Sequence, residues 1–317
     1  MENDDNNLEL LRSLYVSADN EVAGSEINKN LHFVKMHELL RLQVLKSGLK
    51  ESTIRNRMTT ARLLERYFPD LLYRNMSIAE LGKIVGVLKG MKFAANTVTK
   101  HVNHIKICVN WASMIPGNNI RVNIQGFRSQ STPSKITFLT EDELIKIELY
   151  STETDANNRY NACYHCANAF LFCCYTGLRY SDFHNLKSTD IDCRSKEKWL
   201  TLFSQKTGKF IRIPLTYSFG GKALALLDLY ADSLDRFFDV PSNALVDKYL
   251  GKIAAHLEIT RHFSFHSARH TNATLLLNKG VSVTTVQKLL GHSSVGTTMR
   301  YCEVLEDTII KELRDMT

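Results

Sequence analysis

With 317 residues, 44% of them hydrophobic and 23% charged, the chain has the apolar material for two buried cores and the balance of an ordinary water-exposed protein. Its longest apolar runs, such as AFLFCCY, are far shorter than the roughly 20 residues that cross a bilayer. The acidic opening MENDDNNLEL lacks the basic start and apolar stretch of a signal peptide, so a cytoplasmic, nucleoid-associated protein is expected. Seven cysteines, an odd number with no regular framework, point to free thiols rather than a disulfide scaffold.

The net charge of +7 is unevenly spread: residues 1–30 carry two basic and seven acidic side chains, residues 31–130 carry 16 basic and five acidic, and the remainder is nearly balanced. So basic a block points to a polyanion, with nucleic acid the first candidate. Solubilisation of helices is the plainer reading of the same lysines and arginines.

In chain order, residues 1–30 form an acidic N-terminal segment, and residues 31–120 read as a helical domain. In STIRNRMTTARLLERYF, Arg55, Arg62 and Arg66 share one face, largely opposite Met58, Ala61, Leu64 and Phe68. SIAELGKIVGVLKGM gives an amphipathic helix through Leu81, Ile84, Val85 and Leu88. In NTVTKHVNHIKICVNWASMI, Val98, Val102, Ile105, Val109 and Ala112 recur at helical spacing. Thr99, Asn103, Lys106 and Asn110 form a polar stripe beside them, with Lys100 next to it. Arg55, Arg62, Arg66, Thr99, Lys100, Asn103 and Lys106 are therefore candidate phosphate contacts. A solvated charged face accounts equally well for any one helix.

Residues 121–136, RVNIQGFRSQSTPSKI, lose periodicity and collect Gly, Ser, Pro and basic residues, the composition of a linker. The domain at 137–317 opens with Thr140 and Glu143 in capping-box spacing, and helical apolar spacing continues through CANAFLFCCYTGL. The period then changes to two: KWLTLFSQKTGKFIRIPL, 198–215, reads as a β-hairpin turned by Gly208. Helices resume to a tail, CEVLEDTIIKELRDM, with Leu305, Ile309 and Leu313 at i, i+4 and i+8.

Four stretches hold chemistry-bearing side chains: TGLRYSD with Arg179 and Asp182, SQKTGK with Lys206, HSARHT with His266 and Arg269, and LGHSSVGTTMRY with His292 and Tyr301. Singly, each is an ordinary helix end, turn or surface face. On the helix implied by Val295, Met299 and Cys302, Tyr301 is expected off the apolar stripe and free to react. Cys163-x-x-Cys166, with His165 between and Cys173-Cys174 following, lies in an apolar helix without a second ligand pair, so no metal is expected.

Together, in this order and spacing, the four stretches resemble the tyrosine recombinase (phage integrase) family of site-specific DNA recombinases. The motifs cover about residues 135–314, and 31–130 look like that family's core-binding domain. The resemblance implies a mainly α fold with a small β-sheet: a helical, SAM-like core-binding domain and a catalytic domain of helices with a β-hairpin or three-stranded sheet, clamping duplex DNA between them. It implies that Arg179 and Arg269 hold the scissile phosphate and that Lys206 protonates the leaving 5′-oxygen. His266 would accept a proton or orient the reacting groups, His292 would donate to a phosphate oxygen, Asp182 would support the site, and Tyr301 would be the nucleophile. Such chemistry conserves phosphodiester energy in a 3′-phosphotyrosine and calls for neither metal, ATP nor other cofactor. Asp182 stands where Glu is common, Phe183 where Leu is usual, and Ser267-Ala268 fill the H-x-x-R interior.

The implied partners are double-stranded DNA with an inverted-repeat core site, further copies of the chain in a tetrameric synapse assembled by the tail, and accessory proteins, with no membrane. The short acidic start favours a simple recombinase of the Xer or invertase kind without an arm-binding domain. Two alternatives stay open: a type IB topoisomerase-like enzyme, and a catalytically silent DNA-binding protein of the same fold.

Overall fold

The computed structural model describes residues 31–133, 135–154, 162–192, 196–230, 237 and 240–302. The acidic segment 1–30 and the tail stretch 303–317 lie outside the described residues. The chain divides into two compact units, Met1–Ser134 and Lys135–Thr317. Among the described residues no helix is long and apolar enough to cross a membrane.

The first unit is built on α1 (Met36–Lys46), α2 (Glu51–Tyr67), α3 (Ile78–Gly90) and α4 (Ala95–Ser113). Ser77 caps α3 by accepting from the Glu80 amide at 3.2 Å, satisfying one of the donors a helix start leaves open. The apolar stripe of α4 is buried throughout, from Val98 to Ala112, as are Leu81, Ile84 and Leu88 of α3 and Ala61 and Leu64 of α2. Each larger aliphatic among them contributes roughly 1.5–3 kcal/mol by leaving water. Arg62, Arg66, Lys100 and Asn103 are exposed. Arg55, also exposed, pairs with Glu51 at 2.6 Å.

The stretch read as a linker is largely part of this unit. Ile124 is buried in its core, and Ile120, Val122 and Phe127 pack against it. The first three of these apolar residues alternate with exposed ones. Helical periodicity is missing because the segment forms no helix, yet its apolar side chains are packed. The polar side of α4 fastens the end of this stretch. Asn96 donates to the Thr132 carbonyl at 2.9 Å and accepts from its amide at 3.1 Å. Thr99 donates to the Gln130 carbonyl at 3.1 Å, and Lys106 donates to that of Phe127.

The second unit is centred on α6 (Ala162–Thr176), against which α5 (Glu141–Thr154), α8 (Lys222–Asp228), α9 (Asn243–His256) and α10 (His266–Asn278) all pack. Every residue of α6 from Cys166 onward is buried, the pattern of a helix surrounded by its own domain. Burial pushes the Cys166 thiol up to about 12 and those of Cys173 and Cys174 well above the usual thiol value, so these cysteines are packing groups. Thr140 and Glu143 form the expected capping box on α5, at 3.2 and 2.8 Å. Between α7 (Tyr180–His184) and α8 lies a three-stranded antiparallel sheet of β1 (Ile191–Asp192), β2 (Trp199–Phe203) and β3 (Phe210–Pro214). The strands of the expected hairpin pair from Trp199↔Pro214 to Phe203↔Phe210, with Gly208 at φ +64° in the turn. Two short helices come after α10: α11 (Val283–Leu290) and α12 (Val295–Met299). The fold is mainly helical with one small sheet.

Gly177, directly after α6, joins this core to the chemistry-bearing residues. Its φ is +73°, and an added Cβ would lie 2.5 Å from Leu290 Cδ2 and 2.7 Å from Asn272 Oδ1. Gly208 has a similar positive φ but open space around it. Gly208→Ala should therefore show only the backbone penalty, about 1 kcal/mol. Gly177→Ala should lose about 1–3 kcal/mol more from the forced shift of Leu290 and Asn272, read as the denaturant midpoint. Equal losses would mean that the close approach at Gly177 carries no energetic weight.

Candidate active site

The most buried cation among the described residues of this unit is Arg269, on the first turn of α10 and 2% exposed. Its Nη1 donates to the Gly177 carbonyl at 2.8 Å and its Nη2 to the Leu290 carbonyl at 2.5 Å. Among the described residues no carboxylate lies within ion-pair distance of it. The two carbonyls fix the plane of the guanidinium without neutralising it. Desolvation, with Arg179 nearby, brings even this group down to about 10.

Arg179 stands at the N-terminus of α7 and is held from one side. Its Nη1 reaches Ser204 Oγ at 3.2 Å and Asp182 Oδ2 at 3.5 Å. Asp182, itself buried, accepts the Gln205 amide at 2.8 Å and the Ser204 hydroxyl at 3.3 Å. One carboxylate thus orients an arginine and anchors the start of the hairpin turn that carries exposed Lys206. Lys209, on the same turn, donates to the His292 carbonyl at 3.3 Å, which also takes the Gln287 side chain at 3.3 Å.

Three histidines share this field. His292 is buried, and its Nδ1 lies 2.8 Å from the hydroxyl of buried Thr298 on α12, which leaves Nε2 for a ligand. Desolvation and the charges of Arg269 and Arg179 take His292 down to about 4. Half-buried His270 falls to about 4 through desolvation, His266, Arg269 and Arg300. His266 is lowered as well, by desolvation and then by Arg269, Arg179 and Lys206. Burial is the larger cause of each depression, and the neighbouring cations add to it, an addition that a bound anion would offset.

Tyr301 corrects the sequence reading. It is 5% exposed and packs with Ala273, Leu277, Val286 and Leu290. The helix from Val295 ends at Met299, so Tyr301 sits in the turn beyond it and a stripe drawn through Cys302 does not apply. Its hydroxyl end nonetheless meets a polar group. Its hydroxyl lies 3.0 Å from His270 Nδ1, and its ring lies parallel to that of His292 with centroids 6.3 Å apart. Burial raises its pKa above the ordinary phenol value, while Arg269, Arg300 and Arg179 pull against that rise.

The structure gathers Arg179, Asp182, His266, Arg269, His292 and Tyr301 around one cationic centre, with the Lys206 turn close enough for its charge to act on His266. Arg55, Arg62, Arg66, Thr99, Lys100, Asn103 and Lys106 belong to the first unit. Two residues escaped the sequence reading. His270 lies four positions after His266, on the same helical face, and that spacing could have flagged it. Lys209 comes directly after the turn glycine, and nothing in the sequence separates it from an ordinary surface lysine.

The depressed histidines make stability depend on pH in a definite direction. They remain neutral in the folded chain but take up protons near pH 6.5 when unfolded, so their contribution is complete above pH 6.5 and is lost as pH falls towards 4. Lowering the pH from 7 to 5 should remove on the order of 2 kcal/mol of stability. Histidine ring resonances of His270 and His292 should titrate near pH 4; midpoints near 6.5 would contradict the cationic field.

Residues 137–307 match the phage integrase family. A tyrosine recombinase, XerC, from Oceanobacillus iheyensis is 33% identical over 147 residues, which are 42% of this chain and 47% of the relative. The chain therefore spans about half the length of the curated relatives it matches at that level. A XerC from Corynebacterium efficiens is 25% identical over 287 residues, covering 86% of this chain and 87% of that protein. Among solved structures, a lambda integrase tetramer bound to a Holliday junction superposes with a TM-score of 0.66 at 20% identity, covering 84% of this chain and 77% of that one. XerH site-specific recombinase bound to its difH substrate gives 0.66 at 17% identity, covering 97% and 94%. The family match takes in more than half of the 317 residues and contains the whole cationic centre, and on it the chain belongs to the phage integrase family.

Proposed function

We propose that the chain is a site-specific recombinase that cleaves and rejoins duplex DNA through a covalent 3′-phosphotyrosine at Tyr301. The observation that carries this reading is the pairing of a buried, acid-free Arg269 with Arg179 beside a tyrosine hydroxyl. A phosphodiester gains charge on its non-bridging oxygens as a fifth oxygen approaches, and two fixed guanidinium groups can fork onto them. Set in a water-poor site, they stabilise that extra charge most in the transition state. His292, with Nδ1 taken by Thr298, donates from Nε2 to a phosphate oxygen once the anion restores its proton. His266 does the same or orients the phosphate from the exposed edge. Asp182 keeps Arg179 aimed, and Lys206 on the hairpin turn supplies the proton that the leaving 5′-oxygen needs. Every step uses side chains of this chain, so neither a metal nor ATP is required.

The relatives' names and the DNA-bound neighbours support the same reading, as does the exposed basic face of α2. Strand exchange would take place in a tetramer on paired inverted-repeat sites, assembled through the tail 303–317. DNA integration, inversion or resolution would result from the arrangement of the sites.

A nicked target carrying a 5′-bridging phosphorothiolate, incubated in EDTA, should capture the wild-type chain covalently and leave Tyr301→Phe uncaptured on a denaturing gel. Arg269→Ala should lower the rate by about 10²–10³. Capture of the phenylalanine variant would overturn the assignment. Neutralising Arg62 and Arg66 together should weaken binding to any DNA sequence and reduce the log–log salt slope by about 2, one for each phosphate no longer neutralised. An unchanged slope would make this face merely solvated.

A further inference from the structure

Of the titratable groups in the cationic centre to which the proposed reaction gives no task, one touches the nucleophile. His270 Nδ1 lies 3.0 Å from the Tyr301 hydroxyl. Among the described residues this is the only side-chain partner of that hydroxyl. His266 packs edge-on against His270 with centroids 4.6 Å apart, but no hydrogen bond joins it to Tyr301. His270 is carried on α10 one residue after Arg269, so the phosphate-holding arginine and the imidazole share a single rigid turn.

We infer that His270, rather than His266, accepts the Tyr301 proton as the phenolic oxygen attacks phosphorus. The inference rests on the proposed role of Tyr301 as nucleophile. In the resting chain the phenol O–H donates to the Nδ1 lone pair, and His270 carries its own proton on Nε2. As the Tyr301 Oη–P bond forms and the P–O5′ bond breaks, the phenolic proton passes to Nδ1 and leaves an imidazolium. The departing 5′-oxygen takes a separate proton from Lys206. In religation both protons return along the same paths, so nothing is consumed.

The same geometry makes the base conditional on substrate. Facing His270 are His266 and Arg269 on its own helix, Arg300 and Tyr301 on the turn after α12, and His292 on the loop after α11. These are cations, neutral imidazoles and a phenol; no carboxylate stands among them. Burial first, and then His266, Arg269 and Arg300, hold the imidazole down to about 4, too weak a base to draw the phenolic proton. A bound phosphodiester adds a negative charge among the same cations and lets the imidazole basicity recover. Tyr301 would thus be activated only where there is a phosphate to attack.

The test uses the full chain and a 5′-bridging phosphorothiolate substrate, whose thiolate leaves without an acid and so isolates the nucleophile's half of the reaction. His270→Ala should bind DNA as the wild type does but form the covalent complex about 10²–10³ times more slowly at pH 7. Its rate should climb about tenfold per pH unit towards the tyrosine's own ionisation, whereas the wild type levels off. His270→Gln, which can accept the hydrogen bond but not keep the proton, should be as slow, and added imidazole should recover part of the alanine variant's rate. A glutamine variant at wild-type rate, or an alanine variant with the wild-type pH profile, would reduce His270 to a positioning contact. Failure of the underlying reading looks different: the wild-type chain would not be trapped, or Tyr301→Phe would be.

Discussion

Among the described residues Arg269 is held by two backbone carbonyls and no acid, and the cationic centre of the second unit is organised around that fact. A guanidinium taken out of water without a counter-ion destabilises the folded chain by an amount on the order of several kcal/mol. The fold accommodates it through rigidity. Gly177 lets the end of α6 approach Leu290 and Asn272 more closely than any side chain would allow, and the carbonyl of that glycine is one of the two acceptors. Leu290, from the last turn of α11, supplies the other. Core packing and an unneutralised cation therefore meet at one residue pair, and the charge is kept where a bound anion would stabilise it.

Around that centre, the other charges divide the work by how firmly they are held. Arg179 is fixed by Asp182 and Ser204, and Asp182 is fixed in turn by the Gln205 amide. His292 is locked by Thr298. Lys206 alone rides on an exposed turn, while Lys209 at the base of that turn is tied to the His292 carbonyl. A fixed cradle with one exposed donor would suit a reaction in which the phosphate stays put while a leaving oxygen departs and returns. Tyr301 lies between opposing influences, its ionisation hindered by burial and favoured by three arginines. The balance would move towards reaction when phosphate enters and water is excluded.

Much of this was legible in the sequence because it depends on periodicity. The stripe of α4 and the capping box at Thr140 each need only local spacing, and the hairpin around Gly208 needs only the change of period. What escaped depended on where elements end and what they meet. Val295, Met299 and Cys302 suggested a helix running past Tyr301, but the helix stops after five residues and turns the tyrosine into the core. The 121–136 stretch read as a linker because Ile120 just before it and its own Val122 and Ile124 pack at alternate positions without joining a helix or a sheet. Thr99 and Lys106 read as candidate phosphate contacts, and the structure has them holding that same stretch in place. His270 was hidden in plain view, one residue past an arginine that already explained the motif.

The central claim is that one phenolic oxygen, at position 301, becomes bonded to DNA phosphorus. It is met most directly by proteolysis of the trapped protein–DNA complex, removal of the DNA to a short nucleotide remnant, and mass spectrometry of the peptide that carries it. The account predicts the remnant on the peptide beginning at Tyr301, linked through a 3′-phosphate. A remnant on any other residue, or a 5′-linkage, would contradict it.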